Sequence, residues 1–316
     1  MKAIIHTKFG SPDHLEFREI EKPVPKKNEI LLKIQAASAN AYDWRHIRAD
    51  PYMIRFMGGG LSKPAHPILG ADMSGTVEAI GSNVKQFKPG DEVFGEGGYG
   101  GFAEYACVDE KKFIIKPSAL SFEEAAASPM AALTALQGLR DVGSISPGQK
   151  VLVNGASGGV GSFAVQIAKQ FGAEVTGVCS TAKMDFVRSI GADHVIDYSK
   201  EEIITSGIEY DLIYDVAAIH STREYKKILK PGGKYVLAGG SIKRLFQLMF
   251  KSTFGLNNMK VVAAKVSQDD LKLIADMLVS GKVKSMIDKV YPLEETALAI
   301  KDLEEGRVKG KVLIAP

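Results

Sequence analysis

Val151-Leu152-Val153-Asn154-Gly155-Ala156-Ser157-Gly158-Gly159-Val160-Gly161 is the stretch that decides the fold of this chain. An apolar run enters a turn of small residues, and Val160, Phe163, Ala164 and Ile167 then recur at helical spacing. Strand, glycine turn and helix in that order form the phosphate-cradling unit of a doubly wound sheet. Gly158 and Gly159 let the backbone approach a pyrophosphate with no Cβ in the way. The helix N-terminus adds unpaired N–H groups and the positive end of its dipole. Gly161 allows the helix to pack closely on the strand. A tight packing turn with no ligand is the alternative, but a second apolar strand follows at 174–179, the interval a βαβ unit needs.

Downstream of that turn, strands and helices alternate strictly. Strands are expected at 195–197, 212–216 and 235–238, with helices at 159–171, 182–190 and 222–229. Runs such as Leu212-Ile213-Tyr214-Asp215-Val216 are continuous rather than alternating, as required where both faces of a parallel sheet are covered. A ligand of such a sheet sits at the carboxyl ends of its strands.

Upstream the pattern differs. Short β-rich runs at 3–6, 29–35, 73–80, 92–94, 103–108 and 113–116 are separated by Pro23-Val24-Pro25, Pro89-Gly90-Asp91 and the glycine-rich 95–101 stretch. Many short strands with Gly/Pro turns predict a small barrel. Ser121-Phe122-Glu123-Glu124 has the form of a capping box and opens an Ala-rich helical stretch to about 139, divided at Pro129. The tail reads as helix at 268–280, strand at 287–291, helix at 293–304 and strand at 311–314. It is assigned to the barrel, so that strands from both termini complete one sheet. The expected fold class is therefore α/β, with a β-barrel domain over 1–120, completed by 262–316, and a Rossmann nucleotide-binding domain over 121–261.

Composition agrees with a globular chain of two domains. Of 316 residues, 45% are hydrophobic and 24% charged, which excludes disorder. Forty Lys and Arg against 37 Asp and Glu leave a net charge of +3, too balanced for a nucleic-acid partner. No apolar run reaches the ~18–20 residues of a membrane span. The start, Met1 to Lys8, lacks the apolar core of a signal peptide, so a cytoplasmic protein is expected. Cys107 and Cys179 are too far apart and too few for a disulfide framework or a cysteine zinc site, and read as buried small residues.

The end of the second strand selects the dinucleotide. An NAD site carries Asp or Glu there for the ribose 2′-OH, whereas this chain reads Cys179-Ser180-Thr181-Ala182-Lys183. Two unit charges ~4 Å apart repel by roughly 4 kcal/mol at an effective dielectric of ~20, so a carboxylate at that position rejects a 2′-phosphate. Ser180, Thr181 and Lys183 can instead receive one, with Tyr198 adding a phenol hydrogen bond. The alternatives are plainer: Ser180 as a helix cap and Lys183 as a solvated lysine. The expected cofactor is NADPH.

These residues, with further motifs, carry a resemblance. Leu69-Gly70-Ala71-Asp72-Met73-Ser74-Gly75-Thr76-Val77, the Val84–Val93 run (VKQFKPGDEV), the 131–139 stretch AALTALQGL, Gly191-Ala192-Asp193-His194-Val195-Ile196-Asp197-Tyr198 and the terminal Gly310-Lys311-Val312 stand beside the glycine turn. The chain resembles the zinc-lacking quinone oxidoreductase branch of the medium-chain dehydrogenase/reductase superfamily, in particular the subgroup of the reticulon-interacting mitochondrial oxidoreductase. The match runs through nearly the whole chain. It implies a GroES-like barrel, a Rossmann domain, NADPH in the cleft between them and a homodimer. Zinc-dependent members carry Gly-His-Glu where this chain has Gly70-Ala71-Asp72, and the first-ligand cysteine position reads Asn40. Amide and methyl groups do not bind zinc, so no metal is expected.

By the same resemblance, Asn40 and Thr134 lie near the nicotinamide, and Ser157, Gly158, Gly159 and Val160 hold the pyrophosphate. Val216, Ala217, Ala238 and Gly239 are assigned to the cofactor by position. Relatives often read Ser-Thr-Arg-Asn where this chain has Ser-Thr-Ala-Lys. Lys183 supplies the charge of that arginine but not its fork, and weaker NADPH binding is expected.

Zinc-free chemistry of this kind favours an acceptor that is already electrophilic: hydride passes from NADPH to a quinone or a conjugated enone. Tyr42 is the candidate catalytic residue, offering its hydroxyl to the developing oxyanion; a core aromatic is the alternative. Asp43 and Arg45 read as a structural pair. Tyr42, Tyr52 and Phe102 are assigned to the substrate pocket, with Tyr99 nearby and the 52–60 segment as an apolar lid or a plain surface loop. The basic, aromatic 243–251 stretch could touch a membrane surface or form a core or dimer-facing helix. Two other functions stay open: a 2-alkenal/alkenone double-bond reductase, and an NADPH-binding partner protein with little turnover.

Overall fold

In the first part of the chain, seven short strands follow one another: β1 (Lys2–His6), β2 (Leu15–Glu19), β3 (Glu29–Ala39), β4 (Asp72–Ile80), β5 (Glu92–Glu96), β6 (Tyr105–Asp109) and β7 (Phe113–Ile115). The computed structural model describes residues 1–56, 59–205, 207–240 and 258–316; the basic stretch at 243–251 and positions 57 and 58 of the 52–60 segment lie outside them. Contacts divide the chain into two units. The first comprises 1–130, 266–281 and 285–316, and the second 131–265 and 282–284.

In the first unit β3 is the longest strand and pairs with β4 along one edge and β6 along the other. Helix α1 (Ala41–Arg48) follows it directly and α2 (Phe122–Ala126) follows β7; α3 (Pro129–Gln137) starts at the end of this unit, and all but its first two residues belong to the second. The capping box at α2 forms as the sequence predicts. Ser121 Oγ accepts from the Glu124 amide at 3.1 Å, and the Glu124 carboxylate accepts from the Ser121 amide at 3.0 Å. Pro129 opens α3, where its missing N–H costs nothing.

The second unit holds β8 (Lys150–Asn154), β9 (Glu174–Cys179), β10 (His194–Asp197), β11 (Tyr210–Asp215), β12 (Leu229–Leu237) and β13 (Met259–Val261), with α4 at Gly159–Gln170. Their order is β10-β9-β8-β11-β12-β13, every neighbour parallel. That is the Rossmann order, which reverses between β8 and β11 and opens a crevice there at the carboxyl ends. Val151, Leu152, Val153, Leu212, Ile213, Tyr235 and Val236 are at most 1% exposed, which explains their unbroken apolar runs.

The tail adds β14 (Ile287–Pro292) and β15 (Lys311–Ala315) to the sheet of the first unit; β15 runs antiparallel to β3, with Val312 opposite Ala39. Three departures from expectation have physical causes. β2 is barely buried, so its residues carry no clear alternation. Helix α1 buries only Asp43 and Ile47 and shows no apolar stripe. The helix expected to run to 229 gives way to β12, whose Leu229 already pairs with Tyr210 before the ladder shifts register.

Candidate functional site

At the carboxyl end of β8 the chain turns through Gly155, whose φ of +82° needs a residue without a Cβ. The amides of Gly155 and Ala156 donate to the Val178 carbonyl, at 3.2 and 3.0 Å, fastening the turn to β9. Gly158 caps α4 in extended conformation with no side chain to occupy its front. A Cβ built on Gly158 would meet only the Gly155 carbonyl oxygen, at 3.6 Å, so the space before the helix N-terminus is open. A Cβ on Gly161 would fall 2.0 Å from that same oxygen. The two glycines therefore answer different demands: Gly161 packs, and Gly158 leaves room for a group that accepts from helix-end amides.

Several of the other sequence-assigned residues gather at the same end of the sheet. Val216 follows β11 and donates its amide to the Asn154 carbonyl at 3.0 Å, and Ala217 lies 3.2 Å from where a Cβ on Gly155 would be. Ala238 and Gly239 follow β12; a Cβ on Gly239 would lie 2.2 Å from the Val216 carbonyl oxygen. The carbonyl of Thr134 accepts the Tyr214 hydroxyl at 2.8 Å. Beneath the turn, Asn154 and Tyr235 both donate to the buried Asp215 carboxylate, at 2.8 and 2.6 Å. At the ends of β9 and β10, Ser180 precedes a 3₁₀ turn over Thr181–Lys183, and Tyr198 is half exposed. The Thr181 hydroxyl is bonded to Asp197.

In the first unit Asn40 occupies a dense polar cluster. Its amide nitrogen donates to the Ser38 carbonyl at 3.2 Å and to Asp72 at 3.0 Å, and its oxygen accepts from Lys311 at 2.5 Å. All its hydrogens are spent inside the protein. Lys311 lies 3.7 Å from Asp72, and both are buried. Asp72 also accepts the Met130 amide at 3.0 Å, at the start of α3. Asp43 accepts the amides of Asn40, at 2.8 Å, and Gly70, at 3.0 Å, so it fastens α1 to the strand region before β4 instead of pairing with Arg45. Arg45 lies over the Trp44 ring, 5.0 Å from its centroid.

Tyr42 is half-buried on α1. Its ring lies 4.0 Å from His46 and 5.9 Å from Tyr99, and Tyr99 is stacked on His66 at 3.6 Å. Burial, then the Tyr99 hydrogen bond, push the Tyr42 phenol far above its ordinary pKa, so it stays protonated. Tyr52 is 61% exposed beside Phe56, with the Arg55 guanidinium between it and Phe9. Phe102 does not join them: at 1% exposure it is sealed in the core, against Gly70.

Glu96 stands opposite Asp72 in the β4–β5 ladder. Burial first, then the Asp72 charge, raise its pKa to about 7. The folded protein thus holds a proton there that the unfolded chain releases near pH 4–5. This contribution to stability is complete at low pH and is lost as pH rises toward about 7. E96Q is expected to flatten the fall of stability between pH 5 and 8 and to be more stable than wild type at pH 8. Denaturant unfolding at the two pH values measures it, and an unchanged slope would count against a buried proton at this carboxyl.

Lys311, Asp72, Glu96 and His66 received no role from sequence. One signal was available: Lys311 opens an otherwise apolar terminal strand.

Family models match two stretches of the chain. The model of the alcohol dehydrogenase GroES-like domain matches residues 26–118, and that of the zinc-binding dehydrogenase family matches 190–314. A 2-methylene-furan-3-one reductase of Solanum lycopersicum is 36% identical, over all of this chain and 79% of its own length. A chloroplast envelope quinone oxidoreductase homolog of Arabidopsis thaliana is 32% identical over 100% and 98%. Among solved structures, an Escherichia coli quinone oxidoreductase complexed with NADPH superposes with a TM-score of 0.85 at 27% identity, covering 100% of both chains.

Proposed function

This chain belongs to the quinone oxidoreductase branch of the medium-chain dehydrogenase/reductase superfamily, and from that premise we propose that it is an NADPH-dependent oxidoreductase acting on a quinone or a conjugated enone. The observation that carries the reading is the crevice itself. An open glycine turn at β8 stands next to a β9 end that carries Ser180 and Lys183 in place of a carboxylate. The residues present fit the cofactor: Ser157 to Val160 hold its pyrophosphate before the α4 N-terminus, and Ser180, Lys183 and Tyr198 face its 2′-phosphate.

When bound, NADPH supplies a hydride to an acceptor carbon while negative charge collects on the acceptor oxygen. We assign to Tyr42, kept protonated by its raised pKa, a hydrogen bond to that oxygen, made when its hydroxyl turns away from Tyr99. The proton that completes the reduction comes from water or a neighbouring hydroxyl. Tyr52 offers an exposed aromatic face for an apolar acceptor. We also propose that the reaction needs no zinc, because the Lys311 ammonium already sits on the Asn40 oxygen, where a second cation would be repelled.

Loss of reduced-nicotinamide absorbance with NADPH and NADH, against quinones and enones, tests the proposal. Turnover is expected with NADPH and to be weaker with NADH. Tight NADPH binding with no oxidation by any acceptor would keep the fold and overturn the activity.

A further inference from the structure

Asp197 ends β10 opposite Cys179, the last residue of β9, beside the strand end that carries the residues assigned to the 2′-phosphate. The carboxylate is only 2% exposed and holds three hydrogen bonds and an ion pair. Thr181 Oγ1 donates to Oδ2. Ser199 donates to Oδ1 twice, from its amide at 3.0 Å and its hydroxyl at 2.7 Å. The Lys200 ammonium lies 3.7 Å from Oδ2. These bonds, Thr181 first and Ser199 next, hold its pKa near 2, so it is anionic at neutral pH.

A hydroxyl has one hydrogen to give. That of Thr181 points to Oδ2 and that of Ser199 to Oδ1, so the 3.3 Å between the two hydroxyl oxygens is spanned by lone pairs alone. Neither residue keeps a hydrogen for an incoming phosphate. What they turn outward is acceptor capacity, which suits the 2′-hydroxyl of a ribose and repels a 2′-phosphate.

Resting on the NADPH reading above, we propose that Asp197 is the residue that limits the preference of this chain for NADPH over NADH. It withdraws Thr181 and Ser199 from the 2′-phosphate and places a fixed negative charge beside it. Ser180, Lys183 and Tyr198 are left to hold that group. Thr181, which stands in the sequence as a phosphate ligand, acts instead as the partner of Asp197.

The test is calorimetric titration of the full chain with adenosine 2′,5′-bisphosphate and with adenosine 5′-monophosphate, which differ only by the 2′-phosphate. D197N is expected to raise the affinity ratio of the two about five-fold, the effect of removing one partly screened charge several ångströms away, with 5′-monophosphate binding unchanged. T181V is expected to leave the ratio within about two-fold, since it removes a hydroxyl that the phosphate does not use. An unchanged or lower ratio in a folded D197N overturns the proposal. So does a ten-fold loss in T181V, which also decides the matter if D197N does not fold. If wild type binds neither nucleotide, the cofactor reading fails first; if it binds both and D197N moves nothing, only the role of Asp197 fails.

Discussion

Replacing Lys311 with methionine is expected to cost the first unit about 3–5 kcal/mol, the cost of leaving a buried charge without its partner. The ammonium is 2% exposed, 2.5 Å from the Asn40 amide oxygen and 3.7 Å from Asp72. Without it, Asp72 keeps only the Asn40 and Met130 N–H donors, in a region that also holds the Asp43 and Glu96 carboxyls. Asp72 already has a raised pKa from burial, with Lys311 as the main force opposing the rise. K311M removes that opposition. The folded-state pKa then climbs further above the unfolded value, and stability is kept at low pH but lost as pH rises. The variant should therefore be closer to wild type at pH 5 than at pH 8. Adding D72N should recover part of the loss, giving a coupling of about 1–3 kcal/mol in a double-mutant cycle by denaturant unfolding. Strictly additive effects would mean that the two groups do not stabilise each other.

That cluster also marks where sequence reading stops. β8 and its turn were legible because their signal is local: three buried apolar residues, four small ones and a helix at period 3.6. The reading of Ser180 rested on one position at the end of a strand, and the strand ends there. Lys311 and Asn40 are 271 positions apart, and no periodicity joins them. Their contact depends on β15 lying antiparallel to β3, a pairing that only the folded sheet supplies. Thr181 shows a different limit. Its residue type and place suit a phosphate ligand, but the hydroxyl is claimed by a carboxylate on the adjacent strand, 16 positions along. Phe102 likewise follows a glycine-rich turn, as many pocket residues do, yet its ring faces the core. Local chemistry reveals which groups can react, and packing decides which of them are free to.

Two alanine substitutions three positions apart, ~4.5 Å of helix rise, should behave in opposite ways. G161A places a methyl 2.0 Å from the Gly155 oxygen and within 3.0 Å of two further backbone atoms of the turn, at 2.8 and 2.9 Å. Backbone cannot step aside as a side chain can, so α4 must lift from β8. A loss of about 3 kcal/mol or more is expected, seen as early melting of the second unit with or without nucleotide. Gly158 has φ −85° and ψ 179°, ordinary for any residue, and its added methyl clears the nearest atom at 3.6 Å. G158A should thus fold as well as wild type, or gain about 0.4–1 kcal/mol from a less flexible unfolded chain. The same methyl projects into the space before the α4 N-terminus, where the pyrophosphate must approach its amides. NADPH binding is expected to weaken at least about ten-fold, which corresponds to ~1.4 kcal/mol. Titration of both variants, each paired with its melting curve, separates the roles. A stable G158A that binds NADPH as wild type does would reduce the whole glycine turn to a packing device and leave the proposed function without its anchor.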